Sequence, residues 1–304
     1  YQLQNELKQM TDDEIWALDD MTVEDFVASK GISSQAIDRF IRPFFGGVFL
    51  DTSLTASCRP FAFYLKMLSL APATVPANGM GELVRQVADS LPPKMIQFDT
   101  EVVSLVRKGE SVTGVKLDSG RTISASTVVL AVDAETSARL SGHPGLTGHQ
   151  SCVTVHFEAT EKVCQEAMLV VNGGGLGRIN HVAPMTVVSK VLAPQGHHLV
   201  SATLLGNFDH EDDHYLAKSA AYELQDWFPK SNPTTWRPLR VDRIAKAQIS
   251  QPVGFMDRRA HPLPENRLVL AGEHVAYAGI DGAVKSGQDA AVAILKSRME
   301  PASA

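Results

Sequence analysis

A chain of 304 residues, 44% hydrophobic and 20% charged, can bury a core of one large or two interleaved domains, and its formal charge of −6 lacks the basic excess of a nucleic-acid binder. Cys58, Cys152 and Cys164, widely spaced and without a CxxC, fit buried thiols in a reducing compartment such as the cytoplasm or a plastid stroma better than a disulfide framework or a metal site. No apolar run of about 18 residues and no charged-then-apolar leader is present, which excludes a membrane span from this sequence; peripheral membrane contact stays open, and so does an upstream segment, because the chain begins at Tyr1.

Residues 1 to about 70 carry apolar side chains at spacings of three and four, through Ile15, Leu18, Phe26 and Val27 and then Ile37, Phe40, Ile41 and Phe44, which predicts helices. Thr22 ahead of Asp25 suits an N-cap with an acid in the first turn, and Gly31 suits the stop. The aromatic runs from Phe44 to Leu50 and from Phe61 to Leu70 fit a core; if they line a cavity instead, its ligand is lipophilic. At Asn78-Gly79-Met80-Gly81 a turn opens an amphipathic helix through Leu83, Val84, Val87, Ala88 and Leu91. Val102 to Val106, Val112 to Leu117 and Arg121 to Ile123 alternate like strands between turns at Lys108-Gly109 and Asp118-Ser119-Gly120, predicting a β-meander. The continuous apolar run from Thr127 to Val132 suits a central parallel strand.

From 151 to about 245 a mainly antiparallel sheet is expected, with strands at Ser151 to Phe157, Thr186 to Val191, His198 to Leu204 and Pro238 to Ile244 and a helix from Tyr215 to Phe228. The glycines from Gly173 to Gly177 lack the spacing of a phosphate cradle and read as a loop between strands. His210-Glu211-Asp212-Asp213-His214 satisfies the letters of a zinc-peptidase HExxH, yet its acids suit the start of a helix, where they complement the dipole, and only Glu223 offers a third ligand. His156, in an apolar strand, either faces a cavity or is a hydrogen-bonded structural histidine.

The densest information lies between Arg267 and Leu295. Leu268 to Leu270 is a short buried strand that ends at Ala271-Gly272 and so delivers Glu273 to its carboxyl end, where open α/β sheets bind ligands. A helix follows, opened by Gly282-Ala283, and its first N–H groups present the positive end of a dipole beside small residues that admit a flat ligand.

This stretch resembles the C-terminal FAD motif of the flavin-containing amine oxidase, protoporphyrinogen oxidase and carotenoid desaturase superfamily: Gly272-Glu273, a short loop, then Ile280-Asp281-Gly282-Ala283 and Ser286-Gly287 one turn on. The turn and helix after Asn78 are similar to the family's Gly-Gly-Met-Gly segment, and Val102 with Leu105 matches the strand whose first residue holds adenine through its backbone. The resemblance implies an α/β fold in which a partial Rossmann-like FAD-binding domain interleaves with an α+β substrate domain. Residues 1–75 and 151–245 then belong to the substrate domain, and residues 76–150 and 246–304 to the cofactor domain. It further implies FAD bound by Val102, Gly272, Glu273, Ile280, Gly282 and Ala283, with Tyr277, His274 and His156 as candidates to approach the reacting ring.

The strand from Ser151 to Phe157 has Cys152 and Thr154 but no lysine, where amine-oxidising members carry one, so a small lipophilic or polyene-like substrate is favoured over a simple amine. No GxGxxG strand-turn-helix occurs, so the diphosphate cradle is absent, lost, or supplied by another chain or segment; diphosphate binding rests on charge-assisted bonds of about 1.5–3 kcal/mol each, and this chain alone is expected to be inactive or a weak flavin binder. The expected function is that of an FAD-dependent oxidoreductase. The alternatives are a non-catalytic subunit or remnant of the same fold and, third, a zinc hydrolase acting through His210, Glu211 and His214.

Overall fold

The computed structural model describes residues 2–143, 145, 148–259 and 265–299. In chain order the helices are α1 (Gln2–Gln9), α2 (Asp12–Trp16), α3 (Val23–Ser29), α4 (Ser34–Ala36), α5 (Arg42–Phe49), α6 (Cys58–Leu70), α7 (Gly81–Asp89), α8 (Ala134–Ser141), α9 (Met185–Val188), α10 (Asp213–Trp227), α11 (Phe255–Arg258) and α12 (Ile280–Met299). The strands are β1 (Val102–Lys108), β2 (Ser111–Leu117), β3 (Thr122–Ser124), β4 (Val128–Leu130), β5 (His149–Ala159), β6 (Val170–Val171), β7 (Ile179–Pro184), β8 (His198–Leu205), β9 (Arg237–Ile249) and β10 (Leu268–Leu270). They gather into two compact units, Tyr1–Pro92 with Gln150–Ala247 and Pro93–His149 with Gln248–Ala304, so the chain passes between units three times.

The first unit begins with the helices that the apolar spacing predicts. Thr22 caps α3 by accepting the Asp25 N–H at 3.1 Å, and Gly31 follows the helix at a φ of +72°. The aromatic runs pack against one another: Phe45 and Phe61 are fully buried with ring centroids 4.4 Å apart, and Phe26 meets Phe61 edge-on. A five-stranded sheet of order β6-β7-β8-β5-β9 completes the unit. One face of the sheet presents Val153, Val155 and Phe157 of β5 and Val200, Ala202 and Leu204 of β8 to α10, which buries Leu216, Ala217, Ala220, Ala221 and Leu224 against them. Full burial of one such leucine is worth about 1.5–3 kcal/mol, so this helix-on-sheet core contributes substantially to the unit's stability.

One predicted strand is not a strand. Thr186 to Val191 folds as the short helix α9 and the 3₁₀ turn Lys190–Leu192. β8 pairs with β7 on one side and β5 on the other, so no ladder edge is left for those β-branched residues, and β propensity yields to the tertiary arrangement. The strand that takes the place is β7, which the polar pair Asn180-His181 and the terminal Pro184 conceal from a pattern reading. The glycine run lies, as expected, in the loop between β6 and β7.

In the second unit β1, β2 and β3 form the expected antiparallel meander. β4 runs parallel to β10 in a two-stranded sheet, with Val128, Val129 and Leu130 opposite Leu268, Val269 and Leu270. Val112, Val128, Leu130, Leu268, Leu270 and Val275 make one core cluster, and Val269, Ala271 and Ala290 tie β10 to α12 on the other side. Helix α7 groups with the first unit, and none of its residues is buried: Leu83, Val84, Val87 and Leu91, the face expected to pack, are exposed. Among the described residues, no helix is long and apolar enough to cross a membrane.

Candidate functional site

The carboxyl end of β10 builds the site in the second unit. Ala271 continues the ladder by donating to the Leu130 carbonyl at 2.9 Å, after which the chain turns at Gly272 with a φ of +140°, a conformation that disfavours any other residue. Its amide donates to Ser286 Oγ at 2.8 Å, and that hydroxyl donates in turn to the Ala283 carbonyl, so the buried Ser286 fastens α12 to the strand end. Glu273, half-buried, bridges two further segments. Its Oε1 accepts the Ile249 N–H at 2.9 Å and its Oε2 the Gly279 N–H at 3.4 Å, which sets the carboxylate beside the helix start.

The helix starts earlier than the sequence suggests, at Ile280, two residues before Gly282. Ala283 already donates to the Gly279 carbonyl at 3.0 Å, so the amides that precede the first intrahelical bond are those of Ile280, Asp281 and Gly282. The role of Gly282 also differs from the expected one. A Cβ there would stand 2.0 Å from the Tyr277 carbonyl oxygen and 3.1 Å from its ring, so the space left by the missing side chain is filled by the protein's own loop rather than kept open for a ligand. Ala283 and Ile280 are exposed on the opposite side of the helix start.

Tyr277 is buried against Gly282, and its hydroxyl donates to the Asp281 carboxylate, so the residue expected at a ring's edge instead packs the loop. His274 is buried too, and burial pushes its imidazole below the ordinary histidine range, with Asp133 pulling the other way and His149 adding to the depression. Val102 opens β1, paired with Leu117, and β1 is an edge strand of the meander; the backbone groups on its outer side are therefore not used by the sheet.

In the first unit His156 is hydrogen-bonded at both nitrogens, Nδ1 to Ser201 Oγ at 2.8 Å and Nε2 to Asp242 Oδ2 at 3.1 Å, so it clasps β5 to β8 and β9. His181 is half-buried and its imidazole is neutral: loss of solvent around the ring pushes it down to about 4, with Nδ1 2.9 Å from Asn180 Oδ1. Nothing local in the sequence marks it, since its burial comes from α5 pressing on β7, where a Cβ on Gly47 would stand 3.0 Å from His181 Nδ1. The HExxH letters straddle a helix start: Asp212 caps α10 and accepts the Tyr215 N–H at 2.7 Å, leaving His210 outside the helix that holds His214. Glu211 pairs with Arg178 at 2.7 Å, and Glu223 accepts the Arg178 and Ile179 amides at 2.8 Å each, so both acids are engaged in structure. Among the described residues no group of histidine, cysteine and acid side chains is arranged to hold a metal. The three cysteines are free; burial raises Cys58 and Cys152, which keeps them as thiols.

The residues around β10 fit a flavin's polyol and ring edge in donor type, offering a carboxylate to hydroxyls and helix-terminal amides to an electron-rich edge. By sequence, the profile of the family described as flavin containing amine oxidoreductase matches residues 9–295. Among curated proteins no sequence matches significantly. Among solved structures, an oxidoreductase from Methanosarcina mazei superposes with a TM-score of 0.72 at 14% identity, over 92% of this chain and 70% of that one. A protein from Exiguobacterium sp. 255-15, assigned as a protoporphyrinogen oxidase, gives a TM-score of 0.72 at 17% identity over 98% and 72% of the respective chains. A triple mutant of putrescine oxidase gives 0.72 at 15% identity over 97% and 73%. At such identities the structural likeness is one of fold.

Proposed function

The chain belongs to the flavin-containing amine oxidoreductase family, and from that premise we propose that it carries the ribityl and ring half of an FAD site in an oxidoreductase acting on a small lipophilic substrate. The observation that carries this reading is the placement of Glu273, whose carboxylate is fixed by the Ile249 and Gly279 amides at the start of α12 while remaining half-exposed. A carboxylate oxygen has two lone pairs, so each oxygen of Glu273 can accept a ribityl hydroxyl in addition to its backbone partner. The amides of Ile280, Asp281 and Gly282, at the positive end of a 20-residue helix, would face developing negative charge at a ring edge. Bound flavin supplies the hydride acceptor; orientation, exclusion of water and local electrostatics are what the protein adds. In the first unit the exposed Phe40 stacks on Phe44 with centroids 5.5 Å apart, an apolar surface that supports a lipophilic substrate.

The diphosphate half of the site calls for a βαβ unit with a glycine turn, which we assign to another segment or chain. Support comes from α12 and β4: Ile280, Val284 and Leu295 expose an apolar stripe, and Val129 is 42% exposed on a parallel sheet of two strands. The same observation favours a second reading, a non-catalytic subunit that keeps the fold and takes up no flavin by itself.

Absorbance of the purified chain, with and without added FAD, separates the two. A yellow chain, or one that takes up FAD and loses it on Glu273→Ala, supports the oxidoreductase; a chain that stays indifferent even to FAD in an excess large enough to offset the missing diphosphate bonds supports the non-catalytic reading.

A further inference from the structure

The first unit holds a cavity of about 320 Å³ that the flavin reading leaves unassigned, walled by the turn before α5, the loop between β6 and β7, the start of β7 and the end of β8. That volume is at the lower end of the range for small-molecule sites, about 300–1,000 Å³. Two backbone features build it. Residues Ile37–Ile41 form a π-helical turn, a rare wide turn found frequently at functional sites, and its Asp38 lines the cavity. The glycine loop is drawn against the same turn: a Cβ on Gly173 would stand 2.8 Å from the Arg39 carbonyl oxygen, whereas one on Gly175, which lines the cavity, would meet nothing within 4 Å. The loop is thus pinned at one glycine and leaves open space at the other.

Several polar groups on this wall are unspent. Asn180 is 6% exposed; one end of its amide meets His181 Nδ1 at 2.9 Å, and the other end has no partner among the described residues. Polar groups of buried side chains are overwhelmingly bonded, and because this end is not sealed off, the cavity is where a partner reaches it. Arg178 gives Nη2 to Glu211 at 2.7 Å and its face to Phe208, while its Nε and Nη1 are unpaired among the described residues. Asn172 spends its NH₂ on the Leu176 and Ile179 carbonyls, which leaves its Oδ1 as an acceptor. Arg42, by contrast, has all three nitrogens engaged, with Asp38, Thr52 and Glu24.

We propose that this cavity binds a small uncharged compound with neighbouring hydroxyl groups, a polyol or sugar, through Asn180, Arg178 and Asn172. The choice follows from charge and from donor type. Arg42 is matched by Glu24 and Arg178 by Glu211, and Asp38 adds a further negative charge, so an anion meets no surplus of positive charge. A cation would face the donors of Arg178. A hydroxyl both donates and accepts, so it satisfies the Asn180 amide whichever of its ends faces the cavity, and a neighbouring pair accepts from Arg178 while donating to Asn172 Oδ1. Pro43, Ile179 and Leu205 offer apolar contact to the C–H groups of such a compound. The site is built from first-unit residues alone and does not rest on the flavin reading.

The test titrates the full chain, ¹⁵N-labelled in its asparagine and arginine side chains, with myo-inositol and D-glucose as uncharged polyols and with sodium acetate and acetamide as controls. Expected is a saturable, millimolar response of the Asn180 NH₂ and Arg178 Nε signals to at least one polyol and to neither control. Asn180→Leu, close in shape but without the amide, should weaken polyol binding roughly 2- to 12-fold, the worth of one neutral hydrogen bond, read from the Arg178 signal. The proposal is overturned if neither polyol gives a saturable response, if acetate or acetamide saturates the same signals as tightly as the polyols, or if a folded Asn180→Leu binds them as tightly as wild type. The wild-type titration needs neither variant nor flavin, so it decides the matter even if Asn180→Leu fails to fold, and a chain that takes up no FAD leaves it intact.

Discussion

Acidification is expected to destabilise the first unit, and His181 gives the size of one contribution. Its imidazole titrates at about 4 in the folded chain because burial opposes the charged form, whereas an unfolded histidine titrates near 6.5. Between those values the unfolded state binds the proton and the folded state does not. Stability contributed by the neutral ring is therefore fully present above about pH 6.5 and falls as the pH drops toward 4. At about 1.4 kcal/mol per pH unit, the residue alone removes roughly 2–3 kcal/mol between pH 7 and pH 4.5, a large share of the stability of an ordinary domain. All three tryptophans, Trp16, Trp227 and Trp236, belong to this unit, so urea melts followed by tryptophan fluorescence report it selectively. The control is His181→Asn, whose amide NH₂ can donate to Asn180 Oδ1 as the ring N–H does but cannot titrate. Wild type should lose about 2–3 kcal/mol more than the variant across that interval. Equal losses in the two proteins would refute the assignment of a desolvated neutral ring, whatever their absolute stabilities.

Four further outcomes are expected. Leu216→Ala, which hollows the contact between α10 and the five-stranded sheet, should cost about 2–5 kcal/mol in the same urea melts. Gly282→Ala drives a methyl group into the Tyr277 carbonyl and should cost at least about 1–3 kcal/mol by calorimetry; a neutral result would mean that the loop from Gly272 to Gly279 is not packed as described. Under the flavin reading, Glu273→Ala should weaken FAD binding roughly 10- to 150-fold, the worth of one hydrogen bond to a charged group, and unchanged flavin fluorescence titrations would remove this residue from the site. Metal analysis of the purified chain should find no stoichiometric zinc; zinc that is retained by wild type and lost on His210→Ala would restore the hydrolase reading.

The sequence is most legible where a local rule and the tertiary arrangement agree. Thr22 and Asp212 act as caps, the meander from Val102 to Ser124 closes through the turns its glycines mark, and β10 ends where Ala271-Gly272 breaks the apolar run. It is least legible where long-range pairing decides. Thr186 to Val191 has the composition of a strand, but β8 has no free edge to offer it. Gly282 has the look of a ligand-facing glycine, yet its neighbour is Tyr277, five residues earlier in the chain, and only the path of the loop reveals the contact. His274 is legible as a residue of the motif but its burial is not, and the desolvation of His181 is likewise a long-range property, of α5 on β7.

Helix α12 joins these observations into one physical statement about the second unit. A helix that packs on a single neighbour needs one apolar stripe, and α12 has that stripe in Gly282, Ser286 and Ala290, buried toward β10. It also carries a second series, Ile280, Ala283, Val284, Gly287, Ala291 and Leu295, on its exposed side, at the spacing of another packing face and with small residues at three of the six positions. Small residues there gain little from facing water but allow a second helix or strand to approach closely. A solvated helix surface would carry charges at those positions, as Lys285 and Asp289 do where they pair at 2.9 Å on the remaining side. The pattern is that of a helix able to pack on two neighbours, which accords with the proposed second segment or chain. One is β10, and burying the aliphatic side chains of Ile280, Val284 and Leu295 against the other would contribute on the order of 1.5–3 kcal/mol each. An uncovered face of this kind is more than an association hazard. It borders the three amides at the start of α12, so whatever covers it also decides how much water reaches the proposed ring edge, and with it the electrostatic strength of those amides toward a ligand.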